Sequence, residues 1–460
     1  MRDYHDFAPI EVVAASGVRL TLADGRTVLD AISSWWCKSL GHGHSHLRAA
    51  IVDQLDRFEH VIVANTTNAG LVRLCERLLA AANGEPAATY AADAPPGRRP
   101  GHFGKVFLAD NGSTAVEIAL KMAIQAQAQR GQPARTQFAS LRNGYHGETL
   151  ATLSVGDCGL YAAPYEALLF PVAKLDGLPY RSGPDDARWL DAAAEWPAIE
   201  AALAPRAREL AAIVYEPVLQ AAGQMQLYSP DLLRRLRAWS RAHGVYLIAD
   251  EIAAGMGRCG PMLASHLAAP AAARERATVA EIASVLPDFA TLSKGLTGGF
   301  LPLSAVLTTD AVYAAFYDDY VKLNAFLHSH SFTGNPLGCA AARACLALFR
   351  QDDVLNRNRA LAAHMGARAR ALAGHPHVAE VRQTGMIVAI ELVKDKAAGT
   401  AYPWQERRGL AIYRHALSRG VLLRPVGNVV YFMPPYVVTP AEIDLMVEVA
   451  REGIDLATCA

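Results

Sequence analysis

Short runs of apolar, β-branched residues alternate with longer Ala-, Leu- and Arg-rich stretches of helical period along most of this chain. A strand buried on both faces reads as a near-continuous apolar run, and the helix covering it shows a repeat near 3.6 residues. On that basis strands are predicted at 105–109, 136–141, 212–216, 245–250, 289–293 and 304–308. Helices are predicted at 113–130, 230–243 and 338–349. This order belongs to an α/β protein with a mostly parallel central sheet, whose ligand crevice lies outside the carboxyl ends of the strands. From Gln351 onward long helices and a few strands take over, which points to a second, smaller domain. Residues 83–104, rich in Pro, Gly and Ala, and 266–282, Ala-rich with mixed charge, read as surface excursions.

Composition narrows the class. At 460 residues the chain can bury a large core and divide into two or more domains. Lys plus Arg and Asp plus Glu both total 44, so no global field steers nucleic acid or an acidic surface towards it. The seven cysteines are scattered without a CxxC spacing, as in a protein with reduced thiols. Met1-Arg-Asp-Tyr-His-Asp-Phe7 has no signal-peptide core, and charges or prolines break every Ala-rich run before it reaches membrane-spanning length. The expectation is a cytoplasmic, soluble protein with no nucleic-acid or membrane partner.

Lys294 lies in Thr291-Leu-Ser-Lys-Gly-Leu-Thr-Gly-Gly299, and Asp250 ends the apolar run Val245-Tyr-Leu-Ile-Ala-Asp250. Two strand ends aimed at one pocket would bring an amine and a carboxylate together. The amine can form a Schiff base with a carbonyl cofactor and the carboxylate can pair with a ring nitrogen, which suggests pyridoxal-phosphate chemistry. Asp110-Asn-Gly-Ser-Thr-Ala-Val-Glu117 follows a strand and opens a helix, with Gly112 allowing close approach and Ser113 and Thr114 placed to cap it and bind an anion. Taken alone, it reads as an ordinary helix cap. Tyr145, between Gly144 and Gly147, is placed to stack on a planar ring, and Glu216 before Pro217 ends another strand as a site residue or a structural ion pair.

Other features are weaker. Gly255-Met-Gly-Arg-Cys-Gly260 matches the dinucleotide fingerprint only formally, because Glu251 to Ala254 separate it from its strand and Pro261 follows it. Gly41-His-Gly-His-Ser-His46 lacks the carboxylates or cysteines of a metal site and reads as a Gly-rich turn; the same holds for His328 and His330. No metal is expected. Arg424, after Val421-Leu-Leu423, carries a planar fork suited to a carboxylate, and Trp35-Trp36 would line an apolar pocket or pack in the core.

Together, Asp110 to Glu117, Asn143-Gly-Tyr-His-Gly-Glu148, Asp250-Glu-Ile252, Ser293-Lys-Gly295 and Phe332-Thr-Gly-Asn-Pro336 resemble the class III aminotransferases of fold type I. The resemblance runs from about Ala14 to the C-terminus. It implies a large pyridoxal-phosphate domain over 65–325 and a small α/β domain built from 1–64 and 326–460. Lys294 would bond the cofactor and shuttle the proton, Asp250 would hold the pyridine nitrogen protonated, and Tyr145 would stack on the ring. Gly112 and Ser113 would bind phosphate, joined by Ser331 from the partner of a homodimer with shared active sites, while Glu216 stands behind the cofactor. Within the class, Ala31-Ile-Ser-Ser-Trp-Trp36, Val421 to Gly427 and Tyr431-Phe-Met-Pro-Pro-Tyr436 are most similar to the branch of biotin synthesis that acts on 8-amino-7-oxononanoate, with S-adenosylmethionine or lysine as donor.

That narrower resemblance places Trp35, Arg424, Tyr431, Ser329 and His330 at the substrate, with Arg424 on its carboxylate. Ser331 stands where many relatives place Thr. Family members also carry a His-Pro-Tyr/Phe-Thr segment before the position of Met1-Arg-Asp-Tyr4, which supplies a Tyr to the pocket; the expectation is an upstream start or a modified pocket. The alternatives are another class III transaminase acting on ornithine, 4-aminobutyrate or a diamine, an aminomutase, and a non-catalytic vitamer-binding protein.

Overall fold

Seven strands form the central sheet of the computed structural model, which describes residue 5 and residues 7–86, 101–269 and 277–459. Across the sheet they run Lys105–Ala109, Ser304–Thr308, Phe289–Leu292, Tyr246–Asp250, Leu210–Tyr215, Gln137–Leu141 and Ala173–Leu175. Ser304–Thr308 is antiparallel to both its neighbours and the other pairings are parallel. Every residue of Leu210–Tyr215 and Tyr246–Asp250 is buried. Successive side chains enter opposite cores: Leu247 and Ala249 join one apolar cluster, Tyr246 and Ile248 the other. That two-sided burial explains why these strands lack polar alternation.

The helix Gly112–Gln129 covers one face, burying Ala115, Val116, Ala119, Met122 and Ala123 against that second cluster. It begins one residue before the expected start. The 212–216 strand is displaced, because the chain enters the sheet at Leu210 and leaves it at Tyr215, so Glu216 stands just beyond the strand end. Gly255 to Gly260 is an irregular turn without a helix, with Met256 and Gly257 at positive φ, as the mismatch to a dinucleotide site requires. The excursion at 266–282 runs into the helix Val279–Val285, which opens on a Thr278–Glu281 capping box; its residues 270–276, and 87–100 of the other excursion, lie outside the described residues.

Two smaller sheets flank the large one. Val12–Ser16, Arg19–Leu22 and Thr27–Asp30 form an antiparallel set that takes up Val421–Leu422 in parallel, joining the two ends of the chain. Val378–Thr384, Ile387–Leu392 and Val429–Phe432 form the other. Among the described residues no helix is long and apolar enough to cross a membrane.

Candidate active site

Strand register builds the centre of the site. Asp250 is paired with Thr291 across adjacent parallel strands, so Lys294, three residues further on, leaves the sheet beside it. Lys294 sits at φ 41°, a left-handed conformation that a lysine adopts only where its surroundings impose it. Burial holds its amine below the usual lysine range, while the carboxylates of Asp250 and Glu216 pull it back up. Among the described residues Lys294 makes no ion pair or hydrogen bond, and its Nζ lies 4.9 Å from the centre of the Trp36 ring.

Asp250 is oriented by two contacts. Oδ1 accepts the Ile252 N–H at 3.1 Å, and Oδ2 lies 2.9 Å from His146 Nδ1. His146 is buried, and among the described residues its Nε2 has no partner. The sequence assigns His146 no role; its place beside Tyr145 in Asn143-Gly-Tyr-His-Gly-Glu148 is the signal that marks it.

Glu216 receives the backbone N–H of Tyr145 on Oε2 and that of Ala221 on Oε1, each at 3.0 Å. Burial raises its pKa to about 8, with the neighbouring Asp250 adding to the rise and the two N–H groups opposing it. The carboxyl therefore fixes the loop that carries Tyr145. Tyr145 itself is half-buried, donates its hydroxyl to Glu148 at 3.0 Å, and stands edge-on to Tyr161.

The helix over Gly112–Gln129 is capped by Asn111, which accepts the Thr114 N–H and completes a capping box. This corrects the assignment of the cap to Ser113 and Thr114: Asn111 has the extended backbone a cap needs, and Thr114 is already in the first turn. The N–H groups of Gly112 and Ser113 have no intrahelical acceptor, as at any helix start. Space around them is tight. A Cβ on Gly112 would lie 2.9 Å from Ile252 Cδ1, and one on Gly147 would lie 2.2 Å from Ser113 Oγ. Backbone donors, an apolar Ile252 and the Tyr145 loop thus converge on one cradle, which fits a phosphate joined to a flat ring. Asp250 and Lys294 beside it are a carboxylate suited to a ring nitrogen and an amine suited to a carbonyl.

A second group lies at the mouth. Trp35 is 56% exposed, and the Arg424 guanidinium stacks over its ring at 3.8 Å. Trp36 is buried and donates Nε1 to the Tyr431 hydroxyl at 3.0 Å; burial pushes that phenol up to about 12. Tyr431 therefore stands behind Trp36, and Trp36 is the indole nearest Lys294, a role the sequence left unassigned. Ser329 and Ser331 are exposed in the single chain, whereas His330 Nδ1 lies 3.5 Å from Asp110, next to the phosphate turn. Residues 1–4, and with them the expectation about the N-terminal segment, lie outside the described residues.

Three comparisons agree with this geometry. The family model for Aminotransferase class-III matches residues 1–452. The adenosylmethionine-8-amino-7-oxononanoate aminotransferase of Synechococcus elongatus is 40% identical over 95% of this chain and 92% of its own length. That of Geobacter sulfurreducens is 36% identical over 100% and 94%. Among solved structures, the enzyme of the same name from Methanocaldococcus jannaschii aligns with a TM-score of 0.86 at 30% identity, over 99% of this chain and 95% of that one. An amine transaminase from an uncultivated Pseudomonas species, in a PLP-bound form, aligns at 0.84 and 31%, over 98% and 96%. The chain belongs to the class-III aminotransferases, and its cofactor is pyridoxal phosphate.

Proposed function

We propose that this chain transfers an amino group from S-adenosylmethionine to 8-amino-7-oxononanoate, giving 7,8-diaminononanoate for biotin synthesis in two half-reactions at one site. The observation that carries this reading is Arg424. It is exposed, makes no ion pair with a carboxylate among the described residues, and lies flat on Trp35 at 3.8 Å. A guanidinium held this way suits a terminal carboxylate, and the indole faces beneath it suit a methylene chain. The names of the full-length relatives support the same substrate.

Bound pyridoxal phosphate supplies a carbonyl carbon for amines and a ring that takes up an electron pair. The chain's own residues do the rest. Asp250, aligned by His146 and the Ile252 N–H, holds a proton at the ring nitrogen. Lys294 Nζ, whose pKa burial lowers, takes the proton from the amine-bearing carbon and returns it on the other side of the transfer. Tyr145 and Ile252 would bound the ring, and the N–H groups of Gly112 and Ser113 would hold the phosphate.

The working unit in this proposal is a homodimer, with a large domain over 65–325 and a small one from 1–64 and 326–460. Its support is the apolar surface that a single chain leaves bare. Tyr320 is 90% exposed, Leu327 is 83% exposed, and both lie on the segment that leads to Ser329 and Ser331. A second copy would cover this surface and bring Ser331 to the phosphate.

Arg424→Ala tests the reading. It should raise KM for the keto acid at least about tenfold, corresponding to about 1.4 kcal/mol, while shifting KM for the donor much less. Equal losses for both substrates would remove Arg424 from the role.

A further inference from the structure

The turn that presents the two indoles is held in an unusual conformation. Ser33, Ser34, Trp35 and Trp36 all have positive φ, at 50°, 44°, 65° and 75°. Left-handed backbone is unfavourable for an L-residue, and Ile-Ser-Ser-Trp-Trp-Cys contains no glycine, asparagine or aspartate to ease it. Contacts from outside the turn must therefore hold it.

Those contacts converge on Asp30, the fully buried last residue of Thr27–Asp30. Its Oδ2 accepts the Ser34 hydroxyl at 2.7 Å and lies 2.9 Å from His42 Nε2, and its Oδ1 accepts the Ile32 N–H at 3.3 Å. His42 is fixed in turn. Its N–H donates to Gly17 O at 2.7 Å, and its carbonyl accepts the Gly17 N–H at 3.0 Å. Gly41 before it has no room for a side chain, because a Cβ there would lie 2.8 Å from Val437 Cγ2. On the other side Ser33 donates its hydroxyl to Met433 O at 2.7 Å. Arg258, buried in the glycine turn that only imitates a nucleotide motif, donates to Pro434 O at 2.7 Å and Trp36 O at 3.4 Å.

A carboxylate removed from water is a costly anchor for a surface turn. What this anchor controls is the placement of Trp35 under Arg424 and of Trp36 beside Lys294. We infer that Asp30, Ser34 and His42 form a positioning unit that holds the left-handed indole turn against Arg424 and Lys294 and so sets the shape of the keto-acid subsite. None of the three has a hydrogen bond to Lys294 or Asp250 among the described residues; they act through Trp35 and Trp36. The histidine-rich Gly41 to His46 run thereby gains a function other than metal binding. The inference rests on the reading that Trp35 and Arg424 receive the substrate carboxylate.

The test is a double-mutant cycle on the cofactor-loaded enzyme. It compares the parent protein, His42→Ala, Trp35→Ala and the double variant, reading KM, kcat and the calorimetric Kd for 8-amino-7-oxononanoate. His42→Ala should raise KM and Kd about tenfold and lower kcat far less, and His42→Gln, which keeps a donor for Asp30, should recover most of the loss. On the Trp35→Ala background His42→Ala should add less than about twofold. A full multiplicative effect on that background overturns the inference and leaves the pocket reading standing. A Trp35→Ala enzyme with unchanged KM and Kd overturns both. If His42→Ala does not fold, Ser34→Ala takes its place in the cycle, with the same outcomes deciding.

Discussion

Lys294, Asp250 and Glu216 share a small volume in which burial lowers the Lys294 amine and raises the Glu216 carboxyl. Glu216 makes this measurable. Its pKa of about 8 in the folded chain stands above the ordinary 4.5, so the fold binds a proton that the unfolded chain has released. The stability this contributes is complete below about 4.5 and is lost as pH rises through about 8. Glu216→Gln cannot titrate. Urea denaturation of the cofactor-free proteins should show the parent losing stability relative to the variant between pH 5 and 8, by on the order of a few kcal/mol. Parallel pH profiles would show that Glu216 is ionised throughout.

At this scale the sequence shows chemistry better than support. Lys294 and Asp250 are legible because each ends an apolar run, and strand register must then bring them together. His146 and the Asp30–His42 pair are not, since each gains its meaning from a partner on a remote segment.

Among the elements, the turn at Asp110 to Glu117 is legible as a strand, glycine and helix start, while its helix starts one residue earlier than expected and its cap lies two or three residues before Ser113 and Thr114. Cap identity depends on which residue keeps extended backbone, and Asn111, Ser113 and Thr114 are all competent caps by type. The segment after Asp310–Tyr313 shows a different limit. Tyr317, Tyr320, Val321, Leu323 and Leu327 are large apolar or aromatic residues, yet all are at least 72% exposed. An apolar surface of that kind marks an interface, here assigned to a second copy. Leu327→Asp should move the protein from dimer to monomer in sedimentation equilibrium and weaken cofactor retention together. A variant that stays dimeric, or a parent that is monomeric, would contradict the assignment.

The whole molecule follows from two-sided burial of the central strands, which is why its fold class was readable from alternating runs. The union of Thr27–Asp30 with Val421–Leu422 was not, because no local periodicity reports a pairing between opposite ends of a chain. That union places Trp35 and Arg424 face to face, so the sheet linking the two ends builds the mouth of the site. In the proposed function, selection of the keto acid would therefore belong to the assembled molecule, while the residues suited to transamination chemistry stand at the ends of the central strands. The most direct test takes the cofactor-loaded protein through single turnovers. S-adenosylmethionine should bleach the visible cofactor band, and 8-amino-7-oxononanoate should then restore it with about one 7,8-diaminononanoate formed per site. A band restored by 2-oxoglutarate but not by 8-amino-7-oxononanoate, or one that the donor leaves unchanged, would contradict the account.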